Sequence, residues 1–146
     1  MIPLFNQDGN LPPGVHCADW KEFKQKFGIN SHRLKLLEGL KAALDSLSKA
    51  GCQTIYIGGS FITAKEYPND FDGCWDTQGV DPNLLDPILL NFDHKRQAQK
   101  TKYLGELFLA SSPADSAGKT FLEFFQVDRN GNQKGIVAID LSRWQP

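Results

Sequence analysis

The chain has 146 residues, of which 40% are hydrophobic, and this length suffices for one compact core but not for two. The 16 basic and 17 acidic residues are scattered and leave a formal net charge of −1, which argues against nucleic-acid binding through bulk electrostatics. No apolar run is long enough for a membrane span, and the N-terminus lacks the basic and apolar regions of a signal peptide. We therefore expect a single domain over residues 1–146, located in the cytoplasm.

The cysteine and histidine residues are widely separated along the chain. Cys17, Cys52 and Cys74 are odd in number and show no Cys-x-x-Cys spacing, so we expect reduced thiols rather than disulfides or a structural zinc site. No pair of histidines has the spacing that would bind zinc on one helix face. Any metal site is therefore expected to use oxygen ligands.

The first third of the chain predicts two helices after an extended lead-in over residues 1–18. Prolines and glycines are frequent in the lead-in, so no regular element is expected there. Asp19 is expected to cap a short helix that ends near Phe27, because aromatic residues recur there at helical spacing. Ser31 is expected to cap a longer helix over residues 32–49, whose leucines form one apolar stripe.

Four strands are predicted in the remainder of the chain. The run "QTIYIGG" is rich in β-branched and aromatic residues and ends in glycines, which predicts a buried strand over residues 54–57. The run "DFDGCWD" alternates and is expected to form a second strand paired with the first. A third strand is predicted over residues 105–110 and a last one over residues 136–141, after a turn at Asn130-Gly131.

Two further helices are expected between and after these strands. In "DPNLLDPILL", Asp81 is expected to cap a short helix with Pro82 at its first position, before the polar stretch "DHKRQAQKTK". The segment "KTFLEFFQV" fits a helix or a strand, and the shared face of Phe121, Phe124 and Phe125 favours the helix. The resulting order, α, α, β, β, α, β, α, β, predicts an α/β or α+β domain with a small mixed sheet of about four strands flanked by helices.

The stretch "YIGGSFITAKEYPNDFDGCWD" carries the candidate chemistry. At Gly58-Gly59-Ser60 the glycines permit close approach of a ligand to the backbone, and their amides and the serine hydroxyl can donate to phosphate oxygens. Asp70 and Asp72 should lie on the same side of the next strand, because side chains alternate along a strand. Two carboxylates that share an ion with substrate phosphates are a typical Mg²⁺ site.

A metal cage of this kind normally uses a third acidic group. Glu106, at the start of the third strand, is the first candidate, and Asp140, near the end of the last strand, is the second. Lys65, in the loop before the aspartates, could reach a phosphate, although a solvated lysine is the commoner role for such a residue. The residues together indicate a phosphoryl- or nucleotidyl-transfer site, in which a metal draws charge from the phosphate and a second metal lowers the pKa of the attacking hydroxyl.

The order Gly59-Ser60, a nine-residue spacer and Asp70-Phe71-Asp72 resembles the signature of the nucleotidyltransferase superfamily that includes DNA polymerase beta. Over nearly the whole chain, "LPPGVH", "GGSF-x-T-x-K", "PNDFD-x-CW", "FLEFFQ-x-D" and "KGIV" look similar to a group of short bacterial nucleotidyltransferase-like proteins. The resemblance implies transfer of a nucleoside monophosphate from an NTP to a hydroxyl of an RNA, a protein or a small molecule, with Mg²⁺ or Mn²⁺ as cofactor. By position, the Gly-Ser pair would hold the triphosphate and the two aspartates the metal.

The resemblance also implies partners. Some members of the group are encoded beside helix-turn-helix regulators, which suggests a toxin-antitoxin or defence component with such a regulator as its partner. A domain of this size offers little surface for choosing an acceptor, so a dimer or a partner protein is expected to help. The alternative hypothesis is a non-catalytic nucleotide-binding or partner-binding module with a degenerate nucleotidyltransferase fold, which is favoured if no third carboxylate faces Asp70 and Asp72. This sequence also departs from the family pattern in that the third carboxylate would be Glu106 rather than the usual aspartate.

Overall fold

A computed structural model describes residues 1–146, and a five-stranded mixed sheet lies at its centre. The strands are Gly14–Ala18 (β1), Thr54–Gly58 (β2), Phe71–Trp75 (β3), Gly105–Leu109 (β4) and Gly135–Asp140 (β5). Their order across the sheet is β1-β5-β2-β3-β4. The outer pairs β1–β5 and β3–β4 are parallel, whereas β2 runs antiparallel to both of its neighbours. The predicted α/β class with a mixed sheet is confirmed, with five strands instead of four.

The additional strand lies in the segment for which the sequence predicts only an extended lead-in. Residues 14–18 pair with β5 from Gly14 opposite Gly135 to Ala18 opposite Ile139. The prolines of the lead-in all precede this strand, so they do not interrupt its ladder. β1 lies at the sheet edge and contains no buried residue, and it therefore lacks the apolar pattern by which a strand is recognised.

Two helices follow β1, at Trp20–Phe27 (α1) and Ser31–Lys49 (α2). Asp19 caps α1 as predicted, because its carboxylate accepts a hydrogen bond from a backbone N–H of the first turn. The predicted cap of α2 was one residue late: Asn30 accepts the hydrogen bond from the N–H of Arg33, and Ser31 is already helical. Asparagine and serine are comparably good caps, so their adjacency hides the boundary.

The helices and the sheet share one hydrophobic core of 30 buried residues. The predicted leucine stripe of α2 is fully buried in it, and consists of Leu37, Leu40, Leu44 and Leu47. From β2 the core receives Ile55 and Ile57. Because side chains alternate along a strand, Gly58 of β2 belongs to the opposite face of the sheet.

The segment between β3 and β4 differs from its prediction. Residues 81–84 form a turn, and the short helix is a 3₁₀ helix at Pro87–Leu90 capped by Asp86. Asp-Pro occurs twice in this segment, and the second copy is the one that begins a helix and buries an apolar residue, Leu89. The polar stretch that follows, for which the sequence predicts no element, forms a kinked helix at Asp93–Tyr103 (α3), in which residues 94–96 have left-handed backbone angles.

A short helix at Phe121–Phe124 (α4) confirms the helical alternative for "KTFLEFFQV". Thr120 and Glu123 form a capping box at its start, in which each side chain bonds to the backbone of the other residue. A four-residue helix needs such support, because so short a segment has few internal hydrogen bonds of its own. None of the helices has the length and apolar character needed to cross a membrane.

Candidate active site

Sheet register brings three predicted site residues into one row. Gly58 of β2 pairs with Asp72 of β3, which in turn pairs with Glu106 of β4. Residues paired across neighbouring strands share a face, and here it is the face opposite the core. Asp70 lies just before β3, and one oxygen from each of the three carboxylates lies within 4.8 Å of the other two. Asp70, Asp72 and Glu106, the carboxylate cluster, therefore form a compact group.

The second candidate for the third carboxylate lies elsewhere. Asp140 pairs with Thr54, and Thr54 and Gly58 lie at opposite ends of β2. At a rise of about 3.3 Å per residue, the two ends are about 13 Å apart. It is exposed, and it accepts hydrogen bonds from the N–H and hydroxyl of Ser142. Glu106 is thus the residue that completes the cluster, and Asp140 is not part of it.

The Gly-Gly-Ser turn lies directly against the cluster. Gly59 has φ +71°, and a Cβ atom at this position would lie 2.7 Å from Oδ2 of Asp72. A Cβ atom at Gly58 would lie 2.8 Å from the side chain of Phe125. Within the chain, neither the N–H of Gly59 nor the hydroxyl of Ser60 donates a hydrogen bond. The turn therefore presents free donors immediately beside a carboxylate, as a phosphate site near a metal requires.

The loop that joins the turn to the aspartates is held by a buried arginine. Arg33 of α2 is only 1% exposed, and its guanidinium stacks over Phe61, 4.8 Å from the ring centre. It donates hydrogen bonds to four backbone carbonyls, those of Phe27, Phe61, Thr63 and Lys65. A guanidinium can satisfy several carbonyls at once because it carries five N–H donors in one plane. Arg33 therefore fixes the path of the loop, a role that the sequence did not predict.

Lys65, the predicted phosphate contact, is exposed and is placed by this same loop. Its positive charge acts on Asp70, where it opposes the rise in pKa described below. Its ammonium group forms no hydrogen bond or ion pair within the chain. Lys65 therefore acts on the carboxylate cluster through its charge at Asp70 and makes no direct contact with it.

Burial and mutual repulsion perturb the cluster. Burial, followed by the charges of Asp70 and Glu106, raises the pKa of Asp72 to about 8. Burial and the charge of Glu106 also raise the pKa of Asp70. Burial acts on Glu106 in the same direction, but hydrogen bonds from Lys100 and Arg96 outweigh it and lower its pKa. Asp72 therefore keeps a proton at neutral pH unless a cation replaces it.

Two basic residues of α3 contact Glu106, and the sequence analysis did not single them out. Arg96 lies 3.1 Å and Lys100 2.9 Å from the same oxygen, Oε1. Arg96 ends a left-handed turn in which His94 and Lys95 also have positive φ values, between 51° and 62°. Because Arg96 has left-handed backbone angles, the helical i, i+4 rule does not relate it to Lys100, and no local sequence signal indicates that both contact Glu106.

Comparison with known proteins identifies the family. A model described as a family of unknown function (DUF6932) matches residues 3–140. The chain belongs to this family. No curated protein and no solved structure matches it significantly.

Two cavities adjoin the carboxylate cluster of this DUF6932 protein. One, of about 280 Å³, lies beside Asp70 and is lined by basic and polar side chains that include His32, Lys35 and Lys100. The other, of about 380 Å³, begins at Asp72 and Glu106 and is lined mainly by aromatic rings, those of Phe108, Phe121, Phe124 and Phe125. We call the second one the aromatic cavity. Small-molecule sites usually lie in cavities of this size with a few polar groups at one end.

Proposed function

We propose that the protein is a Mg²⁺-dependent nucleotidyltransferase that moves a nucleoside monophosphate from an NTP to a hydroxyl of an RNA, a protein or a small molecule. The observation that carries the proposal is the contact between the carboxylate cluster and the Gly-Gly-Ser turn. Three carboxylate oxygens lie within 4.8 Å of one another, and the turn approaches Asp72 so closely that no side chain fits at Gly59. Metal ligands and phosphate donors side by side are what nucleotidyl transfer needs.

The residues present fit a divalent cation with hard-ligand preference. All three ligands are carboxylates, which suit Mg²⁺ and Mn²⁺ better than softer metals. The raised pKa of Asp72 supports the same conclusion, because a bound cation would offset the repulsion that makes this carboxylate hold a proton. When bound, Mg²⁺ supplies charge neutralisation at the phosphates and a lower pKa for the acceptor hydroxyl.

The chain's own residues then have distinct roles. Gly59 and Ser60 donate to the triphosphate, while Asp70, Asp72 and Glu106 hold the metal. The acceptor oxygen forms a bond to the α-phosphorus and loses its proton to solvent. The bond from the α-phosphorus to the bridging oxygen breaks, and pyrophosphate leaves with that electron pair. Stabilising the charge that develops on the phosphates is the main task of such a site.

A second function is favoured by one specific observation. Arg96 and Lys100 both contact Oε1 of Glu106, and they compensate its charge without any metal. A protein that only binds a nucleotide could keep these ion pairs and use the Gly-Gly-Ser donors alone. This alternative, a non-catalytic nucleotide-binding module, predicts binding without transfer.

Transfer of label from each α-³²P NTP to total cellular RNA and protein, with Mg²⁺ or Mn²⁺, tests the proposal. The wild type is compared with an Asp70→Asn, Asp72→Asn double variant and with Asp140→Asn, a matched control at the far end of the sheet. Label that is lost in the double variant but kept in Asp140→Asn supports the transferase and reveals the base and the acceptor class. Nucleotide binding by the folded wild type without transfer to any acceptor favours the binding module. If the folded wild type neither binds nor transfers a nucleotide, both proposed functions are contradicted.

A further inference from the structure

We propose that the aromatic cavity binds the base of the NTP. This inference rests on the proposed function and adds that the sheet face with the carboxylate cluster recognises the base. The cavity shares Asp72 and Glu106 with the carboxylate cluster, so a ligand can occupy both. Phe108 lies two residues after Glu106 on β4 and therefore on the same face of the sheet. Phe125 packs against Gly58, which connects the cavity to the Gly-Gly-Ser turn.

The rings that line the cavity pack against one another and leave one of them exposed. Phe108 and Phe121 are stacked on each other, with ring centres 4.2 Å apart and an interplanar angle of 7°. Phe124 stands edge-on to Phe121 and Phe125 and keeps 46% of its surface exposed. Exposure of a large aromatic ring to water is unfavourable, and a planar ligand that stacks on the ring would bury this surface.

The polar wall of the cavity favours a base over an aliphatic ligand. Arg96 lines the cavity with 30% of its side chain exposed, and its guanidinium carbon lies 5.4 Å from the centre of the Phe108 ring. A guanidinium carries five N–H donors, so it can donate to an acceptor on a ligand in the cavity. Purines and pyrimidines combine an aromatic plane with ring-nitrogen or carbonyl acceptors, whereas an alkyl chain offers neither. The basic cavity beside Asp70 has only His32 as an aromatic lining residue and no comparable stack.

Isothermal titration with tripolyphosphate and with non-hydrolysable analogues of the four NTPs tests this assignment. All titrations use the full-length protein in Mg²⁺. Stacking of one base on aromatic rings should make at least one analogue bind about tenfold tighter than tripolyphosphate. Phe124→Leu keeps an apolar side chain but removes the ring, and should remove this difference while the affinity for tripolyphosphate stays unchanged. Phe124→Trp should retain the difference.

The controls separate the inference from the proposed function. Leu84→Ala, which alters another exposed apolar residue, in the turn over residues 81–84, should change neither affinity. Equal binding of analogues and tripolyphosphate to the wild type overturns the base site and leaves the transferase proposal standing, with the cavity then available to the acceptor. If Phe124→Leu weakens the binding of the analogues and of tripolyphosphate by the same factor, the base site is overturned as well. Failure of the wild type to bind either ligand contradicts the proposed function itself.

Discussion

Replacement of Asp72 with asparagine should stabilise the metal-free protein at neutral pH. The pKa of Asp72 is raised from 3.8 to about 8 in the folded protein, first by burial and then by its acidic neighbours. Between these two values the folded state holds a proton that the unfolded chain releases. The favourable contribution of the protonated Asp72 to the free energy of unfolding is fully present below about pH 4. It decreases as the pH rises and is lost above about pH 8. Asparagine resembles the protonated carboxyl in shape and remains neutral throughout.

The magnitude follows from the two pKa values. Each unit of difference corresponds to about 1.36 kcal/mol, so the interval from 3.8 to pH 7 amounts to an unfavourable contribution on the order of 4 kcal/mol in the wild type. An amide group fits less well than a carboxyl at a site packed this closely against Gly59, so we expect the variant to gain about 2–4 kcal/mol at pH 7. This is a large fraction of the stability of a typical domain.

Urea denaturation of both proteins at pH 4 and pH 7, in EDTA, measures this difference. Subtracting the free energy of unfolding of the wild type from that of the variant at each pH cancels the titration of the carboxylates outside the cluster. The variant's advantage in free energy of unfolding should be about 3–4 kcal/mol larger at pH 7 than at pH 4, because any cost of the asparagine itself is the same at both pH values. Asp140→Asn serves as the control with the opposite sign, because hydrogen bonds from Ser142 lower the pKa of Asp140 and favour its charged form. An Asp72→Asn protein that is no more stable than wild type at pH 7 would refute the argument that burial and repulsion strain this cluster.

The remaining predictions concern the elements around the cluster. Arg33→Ala should lower the free energy of unfolding by about 3 kcal/mol, because four backbone carbonyls lose their shared donor. Urea denaturation measures this loss, and unchanged stability would contradict the role assigned to Arg33. Gly59→Ala should reduce the rate of transfer about 100-fold, because the new Cβ atom would displace Asp72. Gly118→Ala is the control: its positive φ is similar, but the space around it is open, so it should strain the backbone without this loss of transfer. Equal activities of the two variants in the transfer assay would argue against the close approach of Gly59 to Asp72. Thr120→Ala should cost about 1 kcal/mol in thermal denaturation through loss of the capping box, and no change would mean that α4 is held by its phenylalanines alone.

The core of the candidate site could be predicted because its signals are local. The Gly-Gly-Ser turn and the two aspartates occupy neighbouring strands joined by a short connection, so their proximity follows from one hairpin-like pairing. The third carboxylate depends instead on strand order and direction. Glu106 and Asp140 both lie on predicted strands, but only the position of β4 beside β3 puts Glu106 next to Asp72. Spacing along the chain contains no information about that choice.

The supporting residues could not be predicted for a different reason. An arginine on a helix is usually solvated, and the burial of Arg33 depends on carbonyls contributed by residues nearly thirty positions later. Arg96 reaches Glu106 from a left-handed turn that contains neither glycine nor asparagine. Both placements follow from tertiary contacts that override local preference, and such overrides are most frequent at functional sites.

The charges of the site lead to a final test of transferase against binding module. With Asp72 protonated, the negative charges of Asp70 and Glu106 are matched by Arg96 and Lys100, so Mg²⁺ alone meets little net attraction. A triphosphate with its metal supplies both the cation for the carboxylates and the anion for the Gly59 and Ser60 donors. Each should therefore strengthen the binding of the other by the same factor, as thermodynamic linkage requires. Titration of a non-hydrolysable NTP analogue in Mg²⁺ and in EDTA measures this factor: binding at least about tenfold tighter with Mg²⁺ supports the transferase, and equal binding supports a module that uses the donors alone.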